Sequence, residues 1–318
     1  MPDLRPAIST VLNRCLAVRE GEDVLVIADR GTMPIGVALR EGAMENGAEV
    51  VLAIMEPRQV DGTEPPRPLA DALAACDVFI APTTRSLSHT TARTRATDAG
   101  ARGATMPGVT EEMLARTMTI DFDTMAARSR ALAALLTESD TAHITCARGS
   151  DLTLDLAGRR GTADDGTLTE RGAFGNLPCG EGFISPRGGD GKVVVAGTIA
   201  TLGDANEPAT LTIESGRLVG AHGGLGPRFL ELLQAAGALG TNLAELGIGT
   251  NDHARLSGNV LEDEKILGTV HVAFGASAGI GGSVSVPIHL DAVIVEPTLE
   301  IGSERVLDVG RFVLDAPQ

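Results

Sequence analysis

The first third of the chain alternates between short apolar runs and amphipathic stretches. Apolar runs of strand length occur at Asp23–Ala28 and Ala48–Met55, and a helical pattern over Gly36–Asn46 separates them. The pattern repeats with a helix over Arg67–Cys76 and a strand over Asp77–Pro82. This β-α-β spacing predicts a doubly wound, Rossmann-like parallel sheet with right-handed crossovers.

Two further helical segments follow, at Thr90–Ala99 and at Asp123–Glu138, and we expect the longer one to lead out of the first domain. The turn after the first strand, ADRGTMPIG, fits neither GxGxxG nor GxxxxGKS/T. Because those glycines allow a backbone to cradle a phosphate, the Rossmann-like pattern does not predict a nucleotide site here.

From about Ala142 the pattern changes to short β segments between Gly and Asp turns. These segments are HITCARGSDLTLDLAG, KVVVAGTIA, ATLTIESGRLVGA, TVHVAFG and VPIHLDAVIVEPTLEIG. One clear helix, Pro227–Ala238, interrupts them and has proline in its first turn. We therefore predict an α/β protein with a Rossmann-like α/β domain over residues 1–140 and an antiparallel-rich α+β metal-binding domain over residues 141–318.

Composition narrows the classes of function. The formal net charge is −16, and binding to nucleic acid or anionic lipid relies on clustered Lys and Arg. We expect neither partner, and small-molecule or peptide chemistry is favoured. The alternative is that the acidity serves solubility alone.

The four cysteines, Cys15, Cys76, Cys146 and Cys179, are scattered without a CxxC pair, which predicts reduced thiols. The N-terminus has no uninterrupted apolar signal region, and no stretch approaches the ~18 consecutive apolar residues of a membrane span. We expect a cytoplasmic protein without a membrane partner.

Two predicted strands of the second domain carry ligand-type side chains. In VPIHLDAVIV, His289 and Asp291 point from the same face, ~6.6 Å apart between Cα atoms. In TVHVAFG, small residues share a face with His271 and leave room beside its ring. If the two strands are neighbours, His271 can meet the other two side chains.

This set leaves the metal open. Imidazole with carboxylate suits Zn, Mn, Co or Fe(II), and two His with one Asp also suffice for a 2-His-1-carboxylate iron site. An HxD pair alone can equally be an edge-strand salt bridge. Glu181 in NLPCGEGFISP and Glu245 in LAELGIGTN lie in Gly-rich, loop-like surroundings, where scaffolds place functional groups. The candidate metal ligands are Glu181, Glu245, His271, His289 and Asp291.

A run of charges, Glu262, Asp263, Glu264 and Lys265, precedes the His271 strand. We expect a solvated turn, in which one acid could orient a histidine ring from behind.

The segments NLPCGEGFISP, ELGIGTN, EDEKILGTVHVAFG and the HLD of VPIHLD together resemble the metallo-aminopeptidase family typified by aminopeptidase T and aminopeptidase S, the thermophilic-type leucyl aminopeptidases. The N-terminal GEDVLVIAD, ENGAEVVLA and GARGATMPGVTEEML are also similar to the first domain of that superfamily. The resemblance spans most of the chain.

The resemblance implies a metallo-aminopeptidase-like hydrolase that removes an N-terminal amino acid from a small peptide or aminoacyl amide with metal-activated water. It implies a homodimer and two divalent cations per chain, commonly Zn, Co or Mn. Glu181 and Glu245 match glutamate positions of the family's site and are expected to be catalytic as well as metal-binding. The matching ligand positions are Glu181, Glu245, His271, His289 and Asp291.

One departure from this family concerns tyrosine. The aminopeptidases use a tyrosine soon after the first ligand histidine, whereas this chain has none. Losing an oxyanion donor can cost ~10²–10³ in rate. Either another group substitutes for the tyrosine or the reaction is different.

The chain also resembles 2,5-dihydroxypyridine dioxygenases, which share the fold and the HxD pair but use one Fe(II) held by two His and one Asp. That resemblance implies histidine at the position of Glu245, and the glutamate favours hydrolysis. Ring cleavage remains the alternative, and a third possibility is a binding protein that keeps the fold without activity.

Overall fold

The computed structural model describes residues 2–314, and its helices and strands alternate in the first third before strands dominate the rest. In chain order the strands are β1 (Asp23–Asp29), β2 (Glu49–Met55), β3 (Val78–Ala81), β4 (Arg102–Thr105), β5 (Thr141–Thr145), β6 (Asp151–Asp155), β7 (Thr162–Asp164), β8 (Phe174–Asn176), β9 (Glu181–Ile184), β10 (Gly188–Val195), β11 (Thr198–Ile199), β12 (Gly203–Asp204), β13 (Ala209–Glu214), β14 (Arg217–His222), β15 (Leu243–Gly249), β16 (Val270–Gly275), β17 (His289–Ile294), β18 (Thr298–Ile301), β19 (Glu304–Asp308) and β20 (Arg311–Phe312). The α-helices are α1 (Arg5–Ser9), α2 (Met33–Glu45), α3 (Arg67–Leu73), α4 (Thr91–Ala99), α5 (Glu111–Thr117), α6 (Phe122–Glu138), α7 (Gly226–Ala235) and α8 (Val260–Asp263).

A parallel sheet with the order β2-β1-β3-β4-β8 organises the first of two structural units. In β1, every residue after Asp23 is buried, as expected for a parallel strand covered on both faces. This unit comprises the described chain up to Ile120 together with Gly166–Cys179, which supplies β8.

The second unit comprises Asp121–Asp165 and the described chain from Gly180 onward. Its two sheets are antiparallel throughout. The first has the order β14-β13-β10-β6-β5-β18-β19-β20, and the second, which we call the ligand sheet, has the order β12-β11-β17-β16-β15-β9-β7.

Both antiparallel sheets contribute to one hydrophobic core. Leu152 and Leu154 alternate with polar residues along β6, and they join Leu246 and Ile248 of β15 in the same buried cluster. Helix α7 adds Phe229, whose ring lies edge-on to a phenylalanine of β16. The period-2 pattern thus directs one face of each sheet into the interior.

The predicted fold class is confirmed: a five-stranded parallel sheet is combined with antiparallel-rich sheets in a mixed α/β chain. Most predicted elements have shifted ends. The helix predicted at Gly36–Asn46 begins three residues earlier, at Met33, and the one predicted at Pro227–Ala238 ends at Ala235.

The long helix α6 lies in the second unit, because it packs against β9 and β7. The predicted border between the two domains lay after this helix instead, at residue 140. Helix α1 and the π-helical turn at Thr10–Cys15 were not predicted, and they bury Ala7, Ile8 and Val11. Across residues 2–314, none of the helices combines the length and hydropathy that a membrane span requires.

Candidate metal centre

The ligand sheet brings the five candidate side chains to one of its faces. Residues directly opposite each other on antiparallel strands share a face. Between β15 and β16, Glu245 pairs with Ala273 and Gly247 pairs with His271. The same face therefore extends from β15 onto β16.

The register continues this face onto the outer strands. Between β16 and β17, Asp291 pairs with Ala273 and His289 pairs with Gly275. On the other side, Glu181 of β9 pairs with Gly249 of β15. Four adjacent strands thus present their ligand-type side chains on a common surface.

The opposite face of these strands is apolar. Ile184, Leu246 and Val272 are fully buried and belong to the hydrophobic core of the second unit. Because successive side chains alternate between faces, burial of these residues fixes the direction of the ligand-type residues between them.

Small residues on the ligand face create the space that the site requires. A Cβ atom added to Gly247 would lie 2.1 Å from Nε2 and 2.2 Å from Cε1 of His271. The imidazole therefore lies directly over the bare backbone of Gly247. Only glycine permits this approach.

The first group of ligand-type atoms comes from Glu181, Glu245 and His271, all buried. His271 Nε2 lies 3.2 Å from Glu181 Oε2 and 3.6 Å from Glu245 Oε1. One atom from each of the three residues lies within 4.8 Å of the others.

The second group comes from Glu245, His289 and Asp291. His289 Nε2 lies 3.2 Å from Glu245 Oε2 and 3.6 Å from Asp291 Oδ1. Glu245 therefore turns one oxygen toward each histidine and belongs to both groups. A third group of the same compactness contains Glu264, His271 and Asp291.

The second ring nitrogen of each histidine has a different environment. His289 Nδ1 lies 2.7 Å from the carbonyl oxygen of Ala276, and an N–H there donates to the carbonyl and leaves Nε2 as the ligand atom. His271 Nδ1 is buried without a hydrogen-bond partner among the described residues. The orientation of His271 instead follows from its packing on Gly247.

The charge run expected to form a solvated turn is buried, so that prediction is wrong. Glu262, Asp263, Glu264 and Lys265 are each between 0% and 8% exposed. Asp263 accepts hydrogen bonds from Thr198 and from the backbone and side chain of Ser257. Burial of these charges is possible because the fold supplies partners from distant segments.

Lys265 has three carboxylate partners. Its Nζ lies 2.5 Å from Glu181 Oε1, 2.8 Å from Glu264 Oε1 and 3.5 Å from Asp164 Oδ2. Asp164 and Glu264 were not among the predicted site residues. A motif could not reveal Asp164, which lies about a hundred residues before Lys265 in the chain.

Burial and these charges shift the pKa values of the site. Burial raises the pKa of Glu181 and of Glu245, but Lys265 and His271 outweigh it for the first, and His271 and His289 outweigh it for the second, so that both pKa values fall to about 2. For Glu264, burial dominates and raises the pKa to about 8. For Asp164 it raises the pKa to about 7.

The side chains fit a divalent cation. Buried Glu181 Oε2 has no hydrogen-bond partner among the described residues, although His271 Nε2 is only 3.2 Å away. Two ligand-type atoms that face each other without a hydrogen bond are arranged as they would be around an ion. Imidazole with carboxylate is the donor set of Zn, Mn, Co and Fe(II).

The structure brings together all five predicted residues, but their local context differs from the prediction. Glu181 begins β9 and Glu245 lies within β15, so the expected loop-like surroundings are wrong. Strands β16 and β17 are neighbours as expected. His271 and His289 fall into separate groups, each with two carboxylates.

Comparisons with known proteins give two kinds of relative. The family model of NicX, 2,5-dihydroxypyridine 5,6-dioxygenase, matches residues 3–314. A solved structure of 2,5-dihydroxypyridine dioxygenase from Pseudomonas putida KT2440 is 21% identical, with a TM-score of 0.84 over 98% of this chain and 97% of that one. Wild-type AmpT from Thermus thermophilus is 19% identical, with a TM-score of 0.72 over 98% and 99%.

A search of curated proteins finds no match. The two structural likenesses show a shared fold. The sequence resemblance placed the aminopeptidases first, whereas the matching family model is that of the dioxygenase. The predicted relationship to both families is thus confirmed. The expectation that the aminopeptidase family is the nearer of the two is not.

Proposed function

Because this chain belongs to the 2,5-dihydroxypyridine 5,6-dioxygenase family, a family of enzymes, we propose that it is a metal-dependent enzyme, and that its reaction is hydrolysis of an amide bond. The observation that carries the proposal is the position of Glu245, which directs Oε1 toward His271 and Oε2 toward His289. A carboxylate shared in this way suits a site for two cations.

Each cation would have its own set of side chains. Glu181, Glu245 and His271 would hold one, and Glu245, His289 and Asp291 would hold the other. Zn, Co and Mn suit these donors. A paired centre of this kind lowers the pKa of water and polarises a carbonyl oxygen when it is loaded.

The protein's own contribution is to orient the ligands in a restricted space. Ala276 fixes the ring of His289 through its carbonyl, and Gly247 fixes His271 through close packing. Burial of Glu181 and Glu245 keeps bulk water from their carboxylates. The substrate class that fits hydrolysis here is a small peptide or an aminoacyl amide.

The second candidate is ring cleavage by a mononuclear Fe(II) enzyme. The family match over residues 3–314 favours it. The ligand groups favour hydrolysis, because each of the two groups that share Glu245 contains one histidine and two carboxylates. A 2-His-1-carboxylate site needs two histidines in one group.

The test compares metal content with reactivity in protein purified without oxygen. We expect close to two Zn, Co or Mn per chain by mass spectrometry, and amine release from aminoacyl amides without oxygen. Glu245→Gln should lose at least one metal equivalent and its turnover, whereas Glu231→Gln on the exposed side of α7 should match the wild type.

Two results would contradict hydrolysis. One iron per chain with stoichiometric O₂ consumption on 2,5-dihydroxypyridine would establish the dioxygenase. Failure to retain or rebind any metal would point to a binding protein.

A further inference from the structure

Lys265 lies buried among three carboxylates beside the candidate metal centre. Its side chain is 2% exposed and contacts Glu181, Glu264 and Asp164. An ammonium has three N–H donors and no acceptor. Three surrounding carboxylates therefore use its full donor capacity.

The contact with Lys265 makes the two oxygens of Glu181 unequal. Oε1 accepts from Nζ at 2.5 Å. Oε2 is buried without a hydrogen-bond partner among the described residues and lies 3.2 Å from His271 Nε2. One oxygen is therefore held by the protein, and the other faces the candidate ligands.

We propose that Lys265 is a positioning residue of the metal centre: by binding Oε1 of Glu181, it leaves Oε2 as the one oxygen that this carboxylate offers to a cation. The proposal rests on the metal centre of the proposed function and specifies how one ligand of that centre is oriented. It assigns Lys265 a role that acts through Glu181.

The residue type fits this role. Lys265 is one of two lysines among the 26 basic residues of the chain. Its partners come from β7, β9 and the residue after α8, so it serves three separate carboxylates. A compact ammonium can serve all three, whereas the planar fork of arginine suits one carboxylate bound through two parallel bonds.

Positioning and charge make opposite predictions for the removal of Lys265. A nearby ammonium repels a divalent cation, so loss of the charge alone should tighten metal binding. Loss of positioning should weaken metal binding, by about 10- to 100-fold for a residue that orients a ligand. The sign of the change therefore separates the two roles.

A double-mutant cycle on the full-length chain tests whether Lys265 acts through Glu181. Dissociation constants for Zn²⁺ and Co²⁺ are measured by chelator competition for the wild type, Lys265→Met, Glu181→Ala and the double variant. We expect Lys265→Met to weaken binding about 10- to 100-fold, but to change it by less than about 2-fold when Glu181 is already alanine. The visible Co²⁺ spectrum should also change in Lys265→Met.

The other lysine provides the matched control. Lys192 is exposed on β10, so Lys192→Met should bind both metals as the wild type does. If Lys265→Met does not fold, Lys265→Arg replaces it in the same cycle, because it retains the charge but not the tetrahedral donors.

Tighter or unchanged binding in Lys265→Met, or in Lys265→Arg where that variant is used, would overturn the proposal. Equal weakening in the presence and absence of the Glu181 carboxylate would do the same. Absence of metal binding by the wild type would instead remove the metal centre itself, and this result is distinct because no variant is needed to see it.

Discussion

The approach of His271 to Gly247 shows how a single missing Cβ atom organises the site. The imidazole occupies the volume that any other residue at position 247 would fill. Since His271 Nδ1 has no hydrogen-bond partner among the described residues, the ring has no hydrogen bond on that side, and its close packing on Gly247 restrains it. The geometry of a ligand thus depends on a residue that binds nothing.

The first prediction follows from this close approach. Gly247→Ala should displace the His271 ring and weaken Zn²⁺ binding by about 10- to 100-fold, the range for lost orientation of a metal ligand. Chelator competition measures the dissociation constant.

Gly279→Ala is the matched control, because a Cβ atom there would meet no heavy atom within 4 Å. It should bind metal as the wild type does. Wild-type affinity in Gly247→Ala would mean that the ring is not held by this contact.

Individual residues also show which parts of the site could be predicted from the sequence and which could not. The histidines and Asp291 could be predicted, because His, Asp and the period of a strand are visible in VPIHLDAVIV. Burial of Lys265 could not be predicted, because its partners Asp164 and Glu181 are brought close only by the pairing of β7 with β9. A local run of charges has the same appearance whether or not the fold supplies such partners.

At the scale of elements, the strands of the ligand sheet have a polar side and an apolar side. Packing of the apolar side in the core fixes the direction of the polar side. In β15, Glu245 and Gly247 face the ligands while Leu246 and Ile248 face the core. Glycines made this segment and that of Glu181 resemble loops in the sequence. In the fold, these glycines lie on strands and leave space there for neighbouring side chains. This function can be recognised only from the cross-strand register.

A core substitution next to the ligand Glu245 tests how much the apolar side contributes to stability. Leu246 is fully buried between Glu245 and Gly247, so Leu246→Ala should lower the free energy of unfolding by about 2–5 kcal/mol. Urea denaturation followed by circular dichroism measures the change.

Val219 on β14 is 50% exposed, and Val219→Ala should change the same quantity by less than about 0.5 kcal/mol. A loss below about 1 kcal/mol in Leu246→Ala would show that the apolar face of β15 contributes little to the core.

At the scale of the whole molecule, the change from an α/β pattern to short β segments predicted two domains. It did not predict where the borders of the two structural units lie. Periodicity distinguishes parallel α/β from antiparallel strands, but it cannot show that α6 packs on β9 or that residues 166–179 return to the parallel sheet. Both depend on tertiary pairing rather than on local pattern.

The parallel unit has an ion pair between a buried arginine and a half-buried glutamate, which links its N-terminal segment to β4. Arg102 is held by two hydrogen bonds from its guanidinium to Glu22, at 2.7 and 2.9 Å, and it also donates to the carbonyls of Leu16 and Ala17. The side chain of Arg102 is 6% exposed and that of Glu22 is 18% exposed. Removal of one partner leaves a buried charge incompletely paired.

Glu22→Gln should therefore lower the free energy of unfolding at neutral pH by about 2–3 kcal/mol. Burial raises the pKa of Glu22, but hydrogen bonds from Arg102 outweigh it and lower the pKa overall. The stabilisation by this ion pair is therefore complete above the pKa of Glu22 in the unfolded chain, about 4.3. It is lost as the pH falls through the lower pKa of Glu22 in the folded protein. Urea denaturation from pH 7 to pH 3 should show the two proteins converging in acid.

Glu300→Gln provides the comparison, because Glu300 and Arg305 form a pair whose side chains are 42% and 54% exposed. The substitution should leave the free energy of unfolding close to the wild-type value at every pH in this range, because solvent screens an exposed ion pair. A difference between wild type and Glu22→Gln that persists unchanged to pH 3 would contradict the ion-pair account.

The late return of the chain to the parallel sheet has a consequence for biosynthesis. Strand β8, the neighbour of β4, ends at Asn176, after β5, β6 and β7 of the other unit have already been made. A nascent chain that has emerged only as far as residue 140 still lacks one edge of its first sheet, and β4 has an unpaired side that can join another strand. The ribosome must therefore deliver the chain at least as far as Asn176 before the parallel sheet of the N-terminal unit can be completed.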